Sequence, residues 1–138
     1  MASELKRFSV KTGKDISIVN ITKEVSSAVS SSTIERGIAI VFVSGSTAAI
    51  STLEFEPGLL KDVPSVLEKI APKDFDWEHH KTWSDKNGAA HILANLIGPS
   101  LSVPFEKKKL LLGTWQQIVL MDFDRIARER EVIVQIIG

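Results

Sequence analysis

The run Ile38–Val43 constrains the fold more than any other segment of the sequence. It is apolar at every position and rich in β-branched side chains. A strand with one solvent-facing side alternates polar and apolar residues, so a continuous apolar run predicts a strand covered on both faces. We therefore expect a central strand of a sheet, which leads directly into the small polar turn Ser44–Thr47.

Alternating residues predict further strands on both sides of this one. Phe8 and Val10, then Ile16 and Ile18, flank the turn Thr12–Asp15, a pattern that predicts an opening β-hairpin. The other strands are expected at Ala48–Phe55, Leu101–Val103, Leu110–Leu112, Trp115–Phe123 and Val132–Ile137, joined by a turn at Lys107–Lys109 and a charged loop at Asp124–Glu131.

Three helices are predicted from apolar residues at helical spacing. The first begins at Thr22 as its N-cap and buries Val25, Ala28 and Val29. The second covers Leu59–Ile70, and the third covers Gly88–Ile97 with Asn87 as its N-cap. Several connections are too short for crossovers between parallel strands, which favours an α+β fold with a largely antiparallel sheet or sandwich in a single domain, residues 1–138.

Composition excludes several classes of function. The 17 Lys and Arg balance the 17 Asp and Glu, so no long-range field favours a nucleic acid or an anionic membrane as partner. There is no cysteine, which excludes disulfides, thiolate nucleophiles and Cys-ligated metals. The charged start of the chain lacks the apolar stretch of a secretory signal, so we expect a cytoplasmic protein.

All three histidines, His79, His80 and His91, lie in one short stretch that also holds Asp85 and Asn87. If Asn87 caps the third helix, His91 lies one turn further on the same face, near the positive end of the helix. A neutral imidazole there can bind a metal or donate a hydrogen bond, and the helix start favours an anion. The alternative is a simple cap beside a solvated loop, since no metal-ligand repeat such as H-E-x-x-H is present.

Two other segments could contribute polar groups to a site. The turn at Ser46 and Thr47 follows a central strand, where backbone N–H groups can face a phosphate, but it lacks the P-loop pattern and is otherwise an ordinary turn. Glu54 alternates with Ile50 on one face of a strand, so its carboxylate either meets a partner or a cation or points to solvent.

The second half of the chain supplies four more candidates. Trp115 and Gln116 begin a strand, where the indole serves either as a core or interface residue or as a stacking platform. Arg128 and Arg130 either grip a phosphate with paired hydrogen bonds or lie together on an exposed strand edge.

Short motifs recur along the chain in a distinctive order. They are Gly45–Ile50, Glu54, His79, Trp83, Asn87–His91, Gly98–Ser100, Pro104, Leu112–Gln116 and Arg128–Arg130. In this order, and nearly end to end, they resemble the YjbQ-like family, whose members are also described as secondary thiamine-phosphate synthase enzymes. The most specific part is Leu-Gly-Thr-Trp-Gln, followed by an acidic strand end and an Arg-x-Arg turn.

The resemblance implies an α+β fold, a compact homotrimer or a multiple of it, and a polar, often metal-occupied pocket near the subunit boundary. The implied activity is a weak or secondary thiamine-phosphate synthase. That reaction joins a hydroxymethylpyrimidine diphosphate to a thiazole phosphate and expels pyrophosphate. A divalent ion, Mg²⁺ or Zn²⁺, would neutralise the leaving group.

Carried onto this sequence, the resemblance implies three sets of site residues. The metal ligands are His79, His91 and Glu54. The catalytic residues are His91, Asn87 and Asp85, with Asp85 orienting a histidine or the ion. The substrate-binding residues are Ser46, Thr47, Trp115, Gln116 and Arg128. No role is carried onto Arg125.

Two positions depart from the family pattern. Many members carry His-Thr-Thr where Gly45-Ser46-Thr47 stands here, and a histidine where this chain has Ala89. A metal site with fewer imidazoles is expected to be weaker and more open, or to give way to an anion site.

The leading hypothesis is therefore a trimeric, thiamine-phosphate-synthase-like protein that binds a phosphorylated or diphosphorylated small molecule. Its pocket is expected to bring together His79, Asn87, His91, Glu54, Ser46 and Thr47. The alternative is a non-catalytic ligand-binding or structural module with a degenerate metal site.

Overall fold

The computed structural model describes residues 1–138 as eight strands and four helices. In chain order these are β1 (Ser3–Lys11), β2 (Ser17–Asn20), α1 (Thr22–Ser30), β3 (Arg36–Val43), β4 (Ala48–Glu54), α2 (Leu59–Ile70), α3 (His79–Thr82), α4 (Gly88–Ile97), β5 (Ser100–Glu106), β6 (Lys109–Leu110), β7 (Gln116–Asp122) and β8 (Glu129–Ile137). Every strand pair is antiparallel, which confirms the predicted α+β class. No helix combines the length and apolar character needed to cross a membrane.

The strands form a large and a small sheet. The large sheet has the order β1-β8-β3-β5-β6, and the small sheet has the order β2-β7-β4. Strand β3 is the middle strand of the large sheet, as its continuous apolar run predicts. Only one of its faces is covered within the chain, however, because Ile38 and Phe42 on the other face are exposed. Its residue Val41 lies opposite Val134 of β8 on one side and Leu101 of β5 on the other.

The opening β-hairpin predicted from the sequence is wrong. Strand β1 pairs with β8 in the large sheet, and β2 pairs with β7 in the small sheet. The segment between them crosses from one sheet to the other, and its first residue, Thr12, is buried. Alternation shows which face of a strand is buried but not which strand lies beside it.

Strand β7 divides the interior into two cores because successive side chains point to opposite faces. Ile118 and Leu120 belong to the core between the two sheets, which α1 also joins with Val25, Ala28 and Val29 as predicted. Val119 and Met121 belong to a second core, where the small sheet packs against α4. The same alternation continues through Asp122 and Phe123 and separates the polar sites described below.

Helix α1 begins at Thr22, but the predicted N-cap role of this residue is wrong. No side chain caps the helix from its N-cap position, Ile21. Asn20 Oδ1 instead accepts hydrogen bonds from the Thr22 backbone N–H at 3.0 Å and from the Thr22 hydroxyl at 2.7 Å. The Thr22 oxygen in turn accepts from the backbone N–H of Ile118 at 2.8 Å, which ties the helix start to β7.

The turn between β5 and β6 is shorter than the predicted lysine turn. Lys107 and Lys108 adopt left-handed backbone angles, with φ of 53° and 59°, while Lys109 already pairs with Glu106. Two consecutive left-handed residues are typical of a two-residue hairpin turn. The predicted strand Leu110–Leu112 therefore shifts towards the turn and shortens.

Candidate functional site

Two imidazoles meet between α3 and α4. The rings of His79 and His91 lie edge to face, with centroids 4.6 Å apart. Asn87 Oδ1 lies 3.2 Å from His79 Nε2, and an oxygen of Asp85 lies 3.9 Å from the same nitrogen. The structure thus brings together four of the residues that the resemblance singled out.

The start of α4 is capped by His80 rather than by Asn87. Asn87 occupies the N-cap position, but its side chain makes no capping hydrogen bond, so the predicted cap is wrong. The backbone N–H of Gly88 donates instead to His80 Nε2 at 3.1 Å. An added Cβ at Gly88 would stand 2.9 Å from Trp77 Cβ, so only glycine leaves room for this packing.

A groove of about 470 Å³ lies beside Asn87, between α2, α4 and the segment that follows β7. Its apolar lining consists of Ile16, Pro64, Ala71, Ala89, Ala90, Leu93 and Phe123. Its charged lining consists of Lys73, Lys86, Arg125, Asp15 and Glu68. Of the six residues expected to share one pocket, only Asn87 lines this groove; His79, His91, Glu54, Ser46 and Thr47 do not.

The cations of the groove are only loosely paired. Lys73 Nζ lies 3.6 Å from Asp15, and an Arg125 nitrogen lies 3.9 Å from the exposed Asp74. Arg125 also donates a hydrogen bond to the backbone oxygen of Lys86 at 3.3 Å, while the Lys86 ammonium makes no ion pair within the chain. Exposed pairs of this kind contribute little, so all three cations remain free to meet an anion.

Glu54, Trp115 and Gln116 lie at the far end of the small sheet. Glu54 is opposite Gln116 in the β4–β7 register, whereas the other end of the same ladder pairs Ala48 with Asp122. A seven-residue strand places those ends roughly 20 Å apart. Gln116 Nε2 donates to Thr52 at 3.2 Å, and Trp115 is exposed.

The three predicted metal ligands therefore do not lie together. His79 and His91 are together, but Glu54 does not join them. No group of three or more His, Cys, Asp or Glu side chains in the chain is arranged to hold a metal ion.

A buried ion-pair network lies between the two sheets, where β7 ends at Asp122 and β8 begins. Arg130 Nε and Nη2 donate to the two oxygens of Asp122 at 2.7 and 2.8 Å. Nη2 also donates to the Thr47 hydroxyl at 2.6 Å, and that hydroxyl donates to Asp124 at 3.0 Å. Arg128 donates from Nε and Nη2 to the same Asp124 oxygen, at 3.2 and 3.0 Å.

The network keeps its carboxylates ionised. Burial raises the pKa of Asp122, but hydrogen bonds from Arg130, Thr12 and the backbone N–H of Asp124 outweigh it, so the net pKa lies below the ordinary value. Burial likewise raises the pKa of Asp124, and the backbone N–H of Arg125, the Thr47 hydroxyl and Arg128 lower it further than burial raises it. Hydrogen bonding to Asp122 raises the pKa of Arg130.

Sequence reasoning missed most of this network. It placed Arg128 and Arg130 either on a ligand or on an exposed strand edge, whereas Arg130 is buried on the core face of β8. Asp122 and Asp124 were not singled out, nor was Arg125 on the groove. The available signal was the Asp-x-Asp pair at one strand end and the Arg-x-Arg pair a few residues later, since carboxylates next to a buried strand need cationic partners.

The chain is similar to known proteins over nearly its whole length. A family model described as "UPF0047 protein YjbQ-like" matches residues 6–138. A UPF0047 protein of Archaeoglobus fulgidus is 38% identical over 128 residues, which cover 93% of this chain and 97% of the relative. A UPF0047 protein of Methanocaldococcus jannaschii is 37% identical over 135 residues, 97% of this chain and 94% of the relative.

Solved structures share the fold. A YbjQ-like protein of unknown function from Sulfolobus solfataricus superposes with a TM-score of 0.93 at 34% identity, covering 99% of this chain and 98% of that one. A hypothetical protein from Aeropyrum pernix gives a TM-score of 0.91 at 31% identity, covering 98% of each chain.

Proposed function

The chain belongs to the YjbQ-like UPF0047 family, and on that premise we propose that its groove beside Asn87 binds a phosphorylated small molecule. One observation carries the proposal: three cations, the loosely paired Lys73 and Arg125 and the unpaired Lys86, converge on a groove whose other lining is largely apolar. A ligand with an anionic end and an apolar body matches such a surface.

The phosphate end of the ligand is expected at the start of α4. Lys86 and Arg125 stand on this side of the groove, next to Asn87. The first turn of a helix presents backbone N–H groups that lack partners within the helix, and the helix dipole adds a partial positive charge there. In α4 the N–H of Gly88 donates to His80, so the N–H groups that follow it are the ones offered to a phosphate. Guanidinium and ammonium groups supply charge-assisted hydrogen bonds to phosphate oxygens.

The apolar body of the ligand is expected over Phe123 and the small residues of α4. Ala89 and Ala90 have short side chains, so a flat ring can approach the backbone of the helix closely. Asp15 and Glu68 line the same groove, and their carboxylates favour a ring that carries amino groups or a positive charge over a second phosphate. The proposed class is thus a phosphate or diphosphate ester of a nitrogen heterocycle.

The finer proposal is a weak thiamine-phosphate synthase activity. In that reaction a thiazole nitrogen forms a bond to the methylene carbon of the hydroxymethylpyrimidine as the bond to the diphosphate breaks. The cations of the groove would hold the departing diphosphate and stabilise its charge. Neither His79 nor His91 lines the groove, but His79 lies 3.2 Å from Asn87 and packs against His91. We propose that the pair turns towards a phosphate held beside Asn87 and donates hydrogen bonds to it.

The residues present do not form a closed metal site. Two imidazoles and Asp85 approach one another, but no set of three is arranged around an ion. Mg²⁺ is usually held by substrate phosphates with one or two carboxylates, so we propose that a divalent ion binds together with the diphosphate. Zn²⁺, which prefers several imidazoles, fits this set less well.

Thermal unfolding with added ligands tests the binding proposal. We expect hydroxymethylpyrimidine diphosphate and thiazole phosphate, each with and without Mg²⁺, to raise the Tm by mass action. The double variant Lys86→Ala/Arg125→Ala should lose most of that rise. The matched control Lys69→Ala, on α2 and outside the groove lining, should keep it. No rise with either ligand, or an equal rise in the double variant, would refute the groove as the site.

A product assay separates an enzyme from a binding module. Chromatographic detection of thiamine phosphate from the two precursors should show a slow turnover that His91→Ala abolishes and that EDTA reduces. Ligand binding without any product would instead support a non-catalytic ligand-binding module, the second candidate. That candidate is favoured by the contact between His79 Nε2 and Asn87 Oδ1, which occupies both of these atoms within the chain.

A further inference from the structure

We propose that strand β1 and helix α1 form a binding site for an acidic peptide in extended conformation, which adds to the large sheet as a further strand beside β1. The site is the α1 cleft, a cleft of about 460 Å³ lined by Lys6, Arg7 and Phe8 of β1 and by Lys23, Glu24, Ser27, Ala28 and Ser31 of α1. It shares no lining residue with the groove beside Asn87, so the inference does not depend on the proposed function.

Strand β1 is the longest strand at an edge of either sheet. It spans nine residues and pairs only with β8, so one side of its backbone has no neighbouring strand. The edge strands β2 and β6 have four and two residues, and the seven-residue β4 donates the N–H of Ile50 to Gly98 at 3.1 Å. An unpaired row of backbone donors and acceptors is a template for an added strand.

The hydrogen bonds at one end of β1 show which of its residues face outward. Ala2 and Gly138 exchange both of their backbone hydrogen bonds, at 2.6 and 3.0 Å. In an antiparallel ladder such pairs recur at every second residue, and the β1–β8 register is continuous. The even-numbered residues of β1 therefore bond to β8. Leu5, Arg7 and Ser9 point their N–H and C=O groups away from it, towards solvent.

The α1 cleft is positively charged. Arg7 and Lys23 make no ion pair within the chain, and the Lys6 ammonium lies 3.8 Å from Glu4. Glu24 is the single carboxylate in the lining. Three cations against one anion favour an acidic ligand over a neutral or basic one.

The same charges argue against a second copy of this chain as the occupant. Lys6, Arg7 and Lys11 lie along β1 with only one carboxylate, Glu4, so two such strands paired at their edges would bring like charges together. Charged residues, lysine above all, are the usual protection of an edge strand against self-association. The occupant that fits is an acidic segment of another protein.

The alternation of a strand assigns the two faces of the bound peptide. Phe8 packs against the core between the sheets, and Lys6 shares its face and lines the α1 cleft. Peptide side chains on this face meet Lys6 and Lys23, beside the small residue Ser27. Peptide side chains on the other face lie beside Leu5, which is 46% exposed. Acidic residues are thus expected on one face of the peptide and apolar residues on the other.

A synthetic peptide of about seven residues in which Glu and Val alternate tests the inference by ¹H–¹⁵N NMR. We expect saturable shifts of amide signals along β1, and slower amide hydrogen exchange at Leu5, Arg7 and Ser9 than in the free protein. Lys6 and Phe8 should gain no protection, because their N–H groups already bond to β8. A purely electrostatic contact would not produce this alternation.

Charge reversal separates the α1 cleft from the rest of the surface. Lys6→Glu/Lys23→Glu should weaken peptide binding about tenfold or more, since it replaces attraction by repulsion. The matched control Lys61→Glu/Lys69→Glu makes the same change of charge at exposed positions of α2 outside the cleft. It should bind the peptide like the wild type.

Peptides with N-methyl groups on alternate backbone nitrogens test strand addition itself. They keep every charge but lose the donors of one edge, so one of the two possible methylation patterns should abolish binding. Wild-type affinity for both patterns would overturn the inference, and so would equal affinity for a peptide in which Lys and Val alternate. Absence of saturable shifts in the wild type would overturn it even if the charge-reversal variant folds poorly.

The variant Lys86→Ala/Arg125→Ala distinguishes this inference from the groove proposal. It should bind the acidic peptide like the wild type, because neither residue lines the α1 cleft. Loss of peptide binding in this folded variant would place the peptide in the groove and overturn the assignment to β1.

Discussion

At the scale of single residues, Asp122 and Arg130 matter most for folding stability, because both of their charges are removed from water. Their side chains are 0% and 9% exposed. Burying a charge costs several kcal/mol unless a partner and hydrogen bonds offset it, and removing one member of a buried pair typically costs about 3–5 kcal/mol. Here both oxygens of Asp122 accept two hydrogen bonds each. The pair therefore fixes how the ends of the two sheets meet.

Acid titration tests this network. Because the pKa of Asp122 lies below its ordinary value of 3.8, its contribution to folding stability is complete above that value and is lost as the pH falls through the lowered pKa. We expect the ¹³C carboxyl signal of Asp122 to titrate below pH 3.8. Thr12→Val, which removes one donor to this carboxylate, should move the midpoint upward, whereas Thr114→Val in an exposed loop should not. A wild-type midpoint at or above the ordinary value would contradict the network.

At the scale of elements, the start of α4 shows how one helix terminus depends on another segment. The helix has the predicted bounds, Gly88–Ile97, because its apolar residues repeat at helical spacing and Gly98-Pro99 ends it. Its first N–H group is nevertheless satisfied by His80, a residue of α3. Because His80 caps the helix, the Asn87 side chain is available to contact His79 at the edge of the groove. The two helices therefore form one polar unit.

Substitution of Gly88 tests that unit. Alanine is the better helix former by about 1 kcal/mol, so propensity alone predicts that Gly88→Ala stabilises the protein. The added Cβ would instead stand 2.9 Å from Trp77 Cβ and 3.1 Å from His80 Nε2, and such overpacking typically costs about 1–3 kcal/mol.

Urea unfolding should therefore show a lower free energy of unfolding for Gly88→Ala. His80→Ala should lose about 1 kcal/mol, the usual value of a capping hydrogen bond. Gly113→Ala serves as the control, because its new Cβ would have only ordinary contacts. A Gly88→Ala variant as stable as the wild type would show that the α3 segment does not close over the helix start.

At the scale of the whole molecule, the outer face of the large sheet has no cover. Ile38 and Phe42 on this face are 48% and 38% exposed, and they lie opposite Ile137 and Ile133 of β8. Contiguous exposed apolar surface typically marks an interface. We propose that the homotrimer implied by the resemblance covers this face. Exposed apolar residues on other elements, such as Val66 on α2, are proposed to lie outside the subunit interface.

Light scattering coupled to size-exclusion chromatography measures the assembly. We expect the wild type to elute at three times the chain mass and Phe42→Glu to shift towards the monomer, since burying an unpaired charge in an apolar interface is costly. Val66→Glu, at an exposed apolar position of α2, is the matched control and should remain trimeric. A monomeric wild type would refute the trimer, and a trimeric Phe42→Glu variant would refute the proposed interface.

Much of the fold could be predicted from the sequence because its signals are local. The apolar run Ile38–Val43 predicted a central strand, and the helical spacing of Leu59–Ile70 predicted α2 with its observed bounds. The candidate site was predicted in part: His79, Asp85, Asn87 and His91 are close in the chain and lie together in the structure. Glu54 and Gln116 were grouped with them by resemblance, but the β4–β7 register places that pair at the other end of the small sheet.

The sequence by itself determined which side chains share a face of each strand or helix, because backbone geometry repeats every two residues in a strand and every 3.6 in a helix. Only the tertiary structure decided which faces meet. It separated β1 from β2, brought Arg130 to Asp122 and Thr47, and gave the N–H group of Gly88 to His80. These contacts follow from long-range strand pairing and from the need of every buried polar group for a partner. Neither can be predicted from a local sequence pattern.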